Sequence, residues 1–438
     1  MLDPIGVFIW TLFGVLLGLI FSWMPGFHIY NIVALLTATG SLFTFIPVDA
    51  FPFFVLGSLV AFAYASILST VYFSVADDTM IFLLFPTQRY IIHGKGHEAV
   101  LLTLLGTLGG SIILAASLPI LPVVVPILRE LLNPYIHLFL GALVIFMFMS
   151  EWLKFGDREE KPFIRFAVAW TQALGGAFVF LASGILGFIL MYTNVLPATM
   201  AYVRLTPMFL GFFGLPWVIL NVLSDIPIAP QVTEDKIGTD RRALLSGVLG
   251  GALGGYIAAF FPVITGGMGA LVAGHITSQR GDDAFIVSQG ANRFVYYVGA
   301  FLFLFLPAAS LTRGGAAWLV SSIYQPKSYR EYMYAMGALL LASGLSFALT
   351  LYLSKAVAKI VSRSYKKVSY IVAFLLVGVA WALTGPMGVF VMLVATAIGL
   401  TAAVFNTRRS YCLGGIIFPI LLSMTGVADT FARLIGLV

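Results

Sequence analysis

The chain has 438 residues, with 24 Lys and Arg against 18 Asp and Glu (net charge +6); 60% of its residues are hydrophobic and only 10% are charged. A soluble domain carries about 25% charged residues, so a soluble fold of this length is excluded, and the positive surplus points to inner-face membrane loops rather than to nucleic acid. The single cysteine, Cys412, excludes an intrachain disulfide and a cysteine-based metal cluster.

The N-terminal apolar run lacks a basic leader and a clear cleavage site, and reads as a first membrane helix. It contains Gly14 and Gly18, four apart, and is broken by Pro25-Gly26. The segment after the break, Pro25 to Asn31, combines a lost backbone donor, a glycine able to turn sharply, and the polar side chains of His28 and Asn31. A helix starting here would aim N–H groups at an anion. The run 31–48 is too broken to span. Asp77 and Asp78 follow a long apolar run, and Arg89 lies 11 residues beyond Asp78, beside a basic loop with His93, Lys95 and His97. Residues 154–165 form a charged loop. Asp225, at the edge of an apolar run, reads as a helix-end residue. The polar connection 231–242 reads as the junction between two halves.

The second half repeats the grammar of the first: Gly251, Gly255 and Pro262, then Asp282 and Asp283, then Arg293 10 residues after Asp283. The glycine-rich stretch 263–275 holds Thr265, Gly266 and Gly267, candidates for close backbone approach to a ligand, and Asn292 precedes Arg293. Adjacent carboxylates raise each other's pKa and favour proton or cation uptake; the Asp pairs read equally well as helix caps. An arginine fork suits a carboxylate or phosphate, while Arg89 also reads as an ordinary loop residue. Residues 355–367 carry five basic residues and no acid, which places them on the cytoplasmic side. The Gly385-Pro386 step suits a turn between the runs 369–384 and 386–405, and Arg408 and Arg409 then return to the same side.

Continuously apolar, non-alternating runs predict an all-α polytopic membrane protein of roughly 10–14 segments, some of them half-spans. Two related halves, 1–200 and 241–438, joined by 201–240, are expected to be inverted repeats within one transmembrane domain. A duplicated, Gly/Pro-interrupted membrane segment points to the central site of a secondary transporter. The expected substrate-binding residues are Pro25, Gly26, His28, Asn31, Thr265, Gly266, Gly267, Asn292 and Arg293, and the expected ion-coupling residues are Asp77, Asp78, Asp282 and Asp283. No Walker A loop, HExxH motif or GxSxG elbow occurs, which argues against ATP-driven transport and against an enzyme. No catalytic residue, metal site or cofactor is expected beyond Na⁺ or H⁺ as a coupling ion.

The Pro-Gly break after the paired glycines, the run DDTMIFLLFPTQR with its basic loop HGKGHEA, the QGANRF segment and the closing RRSYCLGGIIFPILL together resemble the large permease subunit of the tripartite tricarboxylate transporters, in particular a divergent archaeal-type branch. The resemblance runs along nearly the whole chain. It implies ion-coupled secondary transport of an organic anion across a prokaryotic cytoplasmic membrane, by alternating access. It also implies a small membrane subunit and an extracytoplasmic binding protein as partners; a homodimer is a separate expectation, not one the resemblance carries. The layout is similar, too, to families that carry polyprenyl-phosphate lipids across the membrane, the alternative substrate class.

Overall fold

The computed structural model describes residues 3–29, 45–155, 162–196, 201–223, 228–261, 264–277, 281–307 and 311–437. Asn31, the rest of the run 31–44, residues 156–161 of the charged loop, Asp225, Pro262, Val263 and residues 278–280 lie outside the described residues. Among the described residues every regular element is helical. Among the described residues eight helices are long and apolar enough to cross a membrane, or nine if the bent pair Arg409–Met424 and Ala428–Leu434, which turns by 115°, is one span. The expectation of 10–14 segments counted half-spans; beside the eight or nine, two shorter apolar helices, Ile81–Ile92 and Leu138–Met149, are present among the described residues.

In chain order the first stretch forms α1 (Pro4–Ser22), α2 (Phe51–Ala65), α3 (Ile67–Phe73), α4 (Leu84–Ile92), α5 (Gly96–Ser117) and α6 (Leu121–Leu132). It continues through α7 (Ile136–Phe155), α8 (Pro162–Tyr192), α9 (Ala201–Phe209), a π-helical turn Leu210–Gly214 and α10 (Leu215–Leu223). Then come α11 (Arg241–Phe260), α12 (Gly266–Thr277), α13 (Gly281–Leu302), α14 (Gly314–Ser321) and α15 (Tyr329–Arg363). The chain ends with α16 (Tyr365–Val404), α17 (Gly414–Met424) and α18 (Ala428–Leu434). Helix α16 is broken at Gly385, whose φ of 69° is open to glycine and strained for other residues; the break falls at the Gly385-Pro386 step that the sequence marks.

Two compact units emerge. One comprises Met1–Leu131 and Asn221–Val372, the other Leu132–Leu220 and Ala373–Val438. Each therefore takes one segment from either half of the chain.

In the first unit, α1 begins with Asp3 accepting a hydrogen bond from the Ile5 amide at 3.3 Å and Pro4 in the first turn, where its missing donor costs nothing. Its glycines are contact points. A Cβ on Gly14 would fall 2.0 Å from the carbonyl oxygen of Phe54, and one on Gly18 would fall 2.6 Å from the Cβ of Ala61, so α1 lies directly on the backbone of α2. The second glycine pair is used alike: a Cβ on Gly251 would fall 2.2 Å from the Ser288 carbonyl, and one on Gly255 2.7 Å from that of Asn292, seating α11 on α13. Close backbone approach through small residues replaces the hydrophobic driving force that is weak between helices in lipid.

The connection 228–240 is non-helical and pinned to this unit by named bonds. Gln231 accepts from the Gly96 amide (2.9 Å) and donates to the carbonyls of Ile91 (2.8 Å) and Ala229 (2.9 Å), and the Gly238 amide donates to Glu98 (2.9 Å). His97, which the sequence assigns to a basic loop with His93, is instead wholly buried in the first turn of α5, its ring nitrogens 2.8 Å from the Ser354 hydroxyl and 3.0 Å from Asp235. His93 stays in the loop, with Nδ1 2.7 Å from the Arg89 carbonyl.

Candidate functional site: a buried arginine–aspartate centre

Arg293 is the largest fully buried side chain of the protein among the described residues. A guanidinium so placed requires paired and hydrogen-bonded surroundings, and α13 and the turn after α3 supply them. Its Nη1 donates to Asp77 Oδ1 and to Thr79 Oγ1, both at 3.1 Å; its Nη2 stands 2.9 Å from Asp77 Oδ2 and donates to Ser66 Oγ at 2.6 Å. Each terminal nitrogen meets one oxygen of the same carboxylate, the fork geometry that makes arginine pairs directional. The guanidinium carbon also lies 4.7 Å from the ring centroid of Phe62 and 5.3 Å from that of Tyr297, within the range of cation–π attraction.

Local sequence explains the placement. Asp77 is held by an Asx-type turn, its Oδ1 accepting from the Thr79 amide (3.0 Å) and hydroxyl (2.6 Å). The preceding residue that turns the chain, Ser74, has a positive φ of 59°. On α13, Tyr297 is four residues beyond Arg293 and so shares its face. The Tyr297 hydroxyl lies 3.3 Å from Asp77 Oδ2, 3.5 Å from Asp78 Oδ1 and 3.2 Å from His28 Nε2. A tyrosine has one hydroxyl hydrogen, so it serves one of these acceptors at a time. His28 packs on Phe62 with ring centroids 4.6 Å apart. Gly26, two residues before it, has φ 88°, the conformation that lets the chain turn after the buried Pro25.

The glycine-rich segment reaches the same place. Thr265 opens α12, its carbonyl accepting from the amides of Met268 (3.0 Å) and Gly269 (3.1 Å). A Cβ on Gly266 would fall 2.4 Å from Thr79 Cγ2, so the helix start abuts the turn that holds Asp77. Asn292 donates to the Gly266 carbonyl at 3.1 Å, while its own buried Oδ1 has no hydrogen-bond partner. That oxygen occupies the space where Cβ atoms of Gly254 (3.0 Å) and Gly269 (2.7 Å) would sit. Gly267 is buried in the first turn of α12.

The two Asp pairs differ in environment. Asp282 and Asp283 stand in the first turn of α13. Asp282 pairs with Arg89 at 2.9 Å, with the two side chains 44% and 65% exposed, and Asp283 accepts a short hydrogen bond from Tyr90. The arginine of each half thus meets an aspartate of the other, once in the interior and once in the open. Among the described residues no cluster of three or more His, Cys, Asp or Glu could hold a metal ion.

Sequence reading did not single out Ser66, Phe62, Thr79 or Tyr297. Two of these carried a signal: Thr79 stands at the Asx-turn position after Asp77, and Tyr297 one helical turn beyond Arg293. Ser66 and Phe62 carried none, because they reach Arg293 only through the packing of α2 on α13.

The family model described as "Tripartite tricarboxylate transporter TctA family" matches residues 8–414. An uncharacterized protein of Methanocaldococcus jannaschii is similar, 23% identical over 424 residues that cover 94% of this chain and 98% of that protein. No solved structure matches.

Proposed function

The chain belongs to the tripartite tricarboxylate transporter TctA family, and on that premise we propose that it moves a carboxylate-type organic anion in secondary transport coupled to H⁺ or Na⁺, with the Arg293 centre as the place where anion and ion meet. The family is one of membrane transporters, not of enzymes, and the chain is a multi-pass protein of the cytoplasmic membrane. The family works in tripartite systems with a small membrane subunit and a periplasmic binding protein, and such partners are proposed for this chain too.

One observation carries the reading. A fully buried guanidinium is shared between a carboxylate, Asp77, and hydroxyl groups, with a second carboxylate, Asp78, one residue away. Buried ionisable groups at such depth are costly and mark ion and substrate pathways. A substrate carboxylate has the same fork geometry as Asp77, so it can replace Asp77 on Arg293 and leave the displaced carboxylate to take up a cation or a proton. The coupling role falls to Asp77 and Asp78 in preference to Asp282 and Asp283, which stand at an exposed helix start beside Arg89. His28, through Tyr297, offers a path for the proton. Thr265, Gly266, Gly267 and Asn292 would shape the anion side, with Pro25 and Gly26 opposite. Halves 1–200 and 241–438, related by inversion about the connector 201–240, would supply the alternating access.

The test is uptake by proteoliposomes. Labelled citrate should accumulate under an inward H⁺ or Na⁺ gradient and not without one, and Arg293→Gln should abolish the uptake. Translocation of a polyprenyl phosphate with no citrate flux would support the lipid-carrier class instead.

A further inference from the structure

The second compact unit buries a cation of its own. Arg409 opens the 3₁₀ turn Arg409–Leu413 that leads into α17, and it is only 7% exposed. Its guanidinium carbon stands 4.2 Å from the ring centroid of Trp217 on α10. Its buried Nη1 has no hydrogen-bond partner, and among the described residues no carboxylate forms an ion pair with it. The hydroxyl of the adjacent Ser410 is buried and unpartnered as well.

This contrasts with Arg293, whose charge is met by Asp77. Stacking on a tryptophan attracts the cation. That does not replace the counter-charge a buried cation requires, since an uncompensated buried charge is strongly destabilising. The platform is also unusual. Trp217 is the third residue after the π-helical turn Leu210–Gly214, and π turns occur frequently at functional sites. The close approach of α16 holds that turn in place, because a Cβ on Gly211 would fall 2.3 Å from the Met392 carbonyl.

We infer that Arg409, laid on Trp217 with Ser410 beside it, is a binding site for an oxyanion, a carboxylate or a phosphate group. A guanidinium stacked by its face keeps its edge for bidentate hydrogen bonding, and Ser410 supplies a further donor. The same chemistry fits a free organic or inorganic anion and the headgroup of an anionic lipid.

The experiment uses the full-length protein in phosphatidylcholine nanodiscs, titrated with citrate and with inorganic phosphate, and in nanodiscs containing phosphatidylglycerol. The readouts are the thermal unfolding midpoint and tryptophan fluorescence, the latter compared with Trp217→Phe to isolate the Trp217 signal. The expected result is a saturable Trp217-dependent change whose apparent affinity falls at least tenfold in Arg409→Gln and falls also in Arg409→Lys. A response to dissolved anion in phosphatidylcholine assigns the site to solutes, and a response only with phosphatidylglycerol assigns it to headgroups. If Arg409→Gln does not fold, the Lys variant decides, because it keeps the charge and loses the fork. No Trp217-dependent response in any arm, or wild-type affinity in the variants that fold, would overturn the inference.

Discussion

Asp77→Asn removes the counter-charge of Arg293 while keeping the size of the side chain. The carboxylate accepts from the Thr79 amide and hydroxyl, both Arg293 terminal nitrogens and Tyr297, at distances of 2.6–3.3 Å. An asparagine keeps one acceptor and turns an NH₂ toward these donors. Breaking a buried pair by removing one partner costs about 3–5 kcal/mol. The lower end is expected here, because Ser66 and Thr79 continue to accept from Arg293 and Asp77 is 17% exposed. Arg293→Gln should cost a similar amount. In Asp77→Asn/Arg293→Gln neither charge remains, so the double variant should be more stable than the sum of the single costs implies, by about 2–3 kcal/mol, the upper range for residues in contact. The measurement is reversible unfolding in mixed micelles, followed by circular dichroism. Single costs that add to within about 0.5 kcal/mol would refute the pairing as an energetic unit.

Three further outcomes follow from the packing and the surface. Gly251→Ala and Gly14→Ala should each destabilise by about 1–3 kcal/mol through overpacking, since the added methyl meets backbone carbonyls; Gly344→Ala, with nothing within 4 Å, should be neutral or stabilise by up to about 1 kcal/mol, all read by the same unfolding assay. Asp282→Asn, at the exposed pair with Arg89, should change stability by less than about 1 kcal/mol and lose what effect it has in high salt, in contrast to Asp77→Asn. The hydrogen bonds from Lys355 and His97 hold the Asp235 carboxyl below its usual value. A depressed carboxylate stabilises above its unfolded pKa of about 3.9 and loses that contribution as pH falls through the folded value, so thermal unfolding scans across this acid range should show a shallower decline in Asp235→Asn than in the wild type.

Much of the framework was legible because it rests on local rules. Low charge and continuous apolar runs mark membrane helices, Gly385-Pro386 marks a break, and paired glycines four apart mark one helix face that another backbone can meet. Arg293 was legible as a candidate because an arginine in a run that soon turns apolar must be paired. Its partner was not, since Asp77 lies 216 positions away. The parallel spacing of the two Asp pairs also hid their difference: one follows a helix and turns inward, while the other sits in the first turn of a helix beside exposed groups. His97 looked like part of a loop because its neighbours are glycines and charges, but Asp235 and Ser354, which bury it, are distant in sequence. Arg409 read as an inner-face charge beside Arg408, and only the packing of Trp217 separates the two.

The central claim is that anion binding at Arg293 is tied to cation uptake at the neighbouring carboxylates, and Asp78→Asn tests it most directly because Asp78 does not pair with Arg293. The measurement compares, in the same proteoliposomes, gradient-driven accumulation of labelled citrate with exchange of labelled for unlabelled citrate in the absence of a gradient. The account predicts that Asp78→Asn retains exchange and loses accumulation. Accumulation at the wild-type level in Asp78→Asn, with the same dependence on the ion gradient, would contradict it.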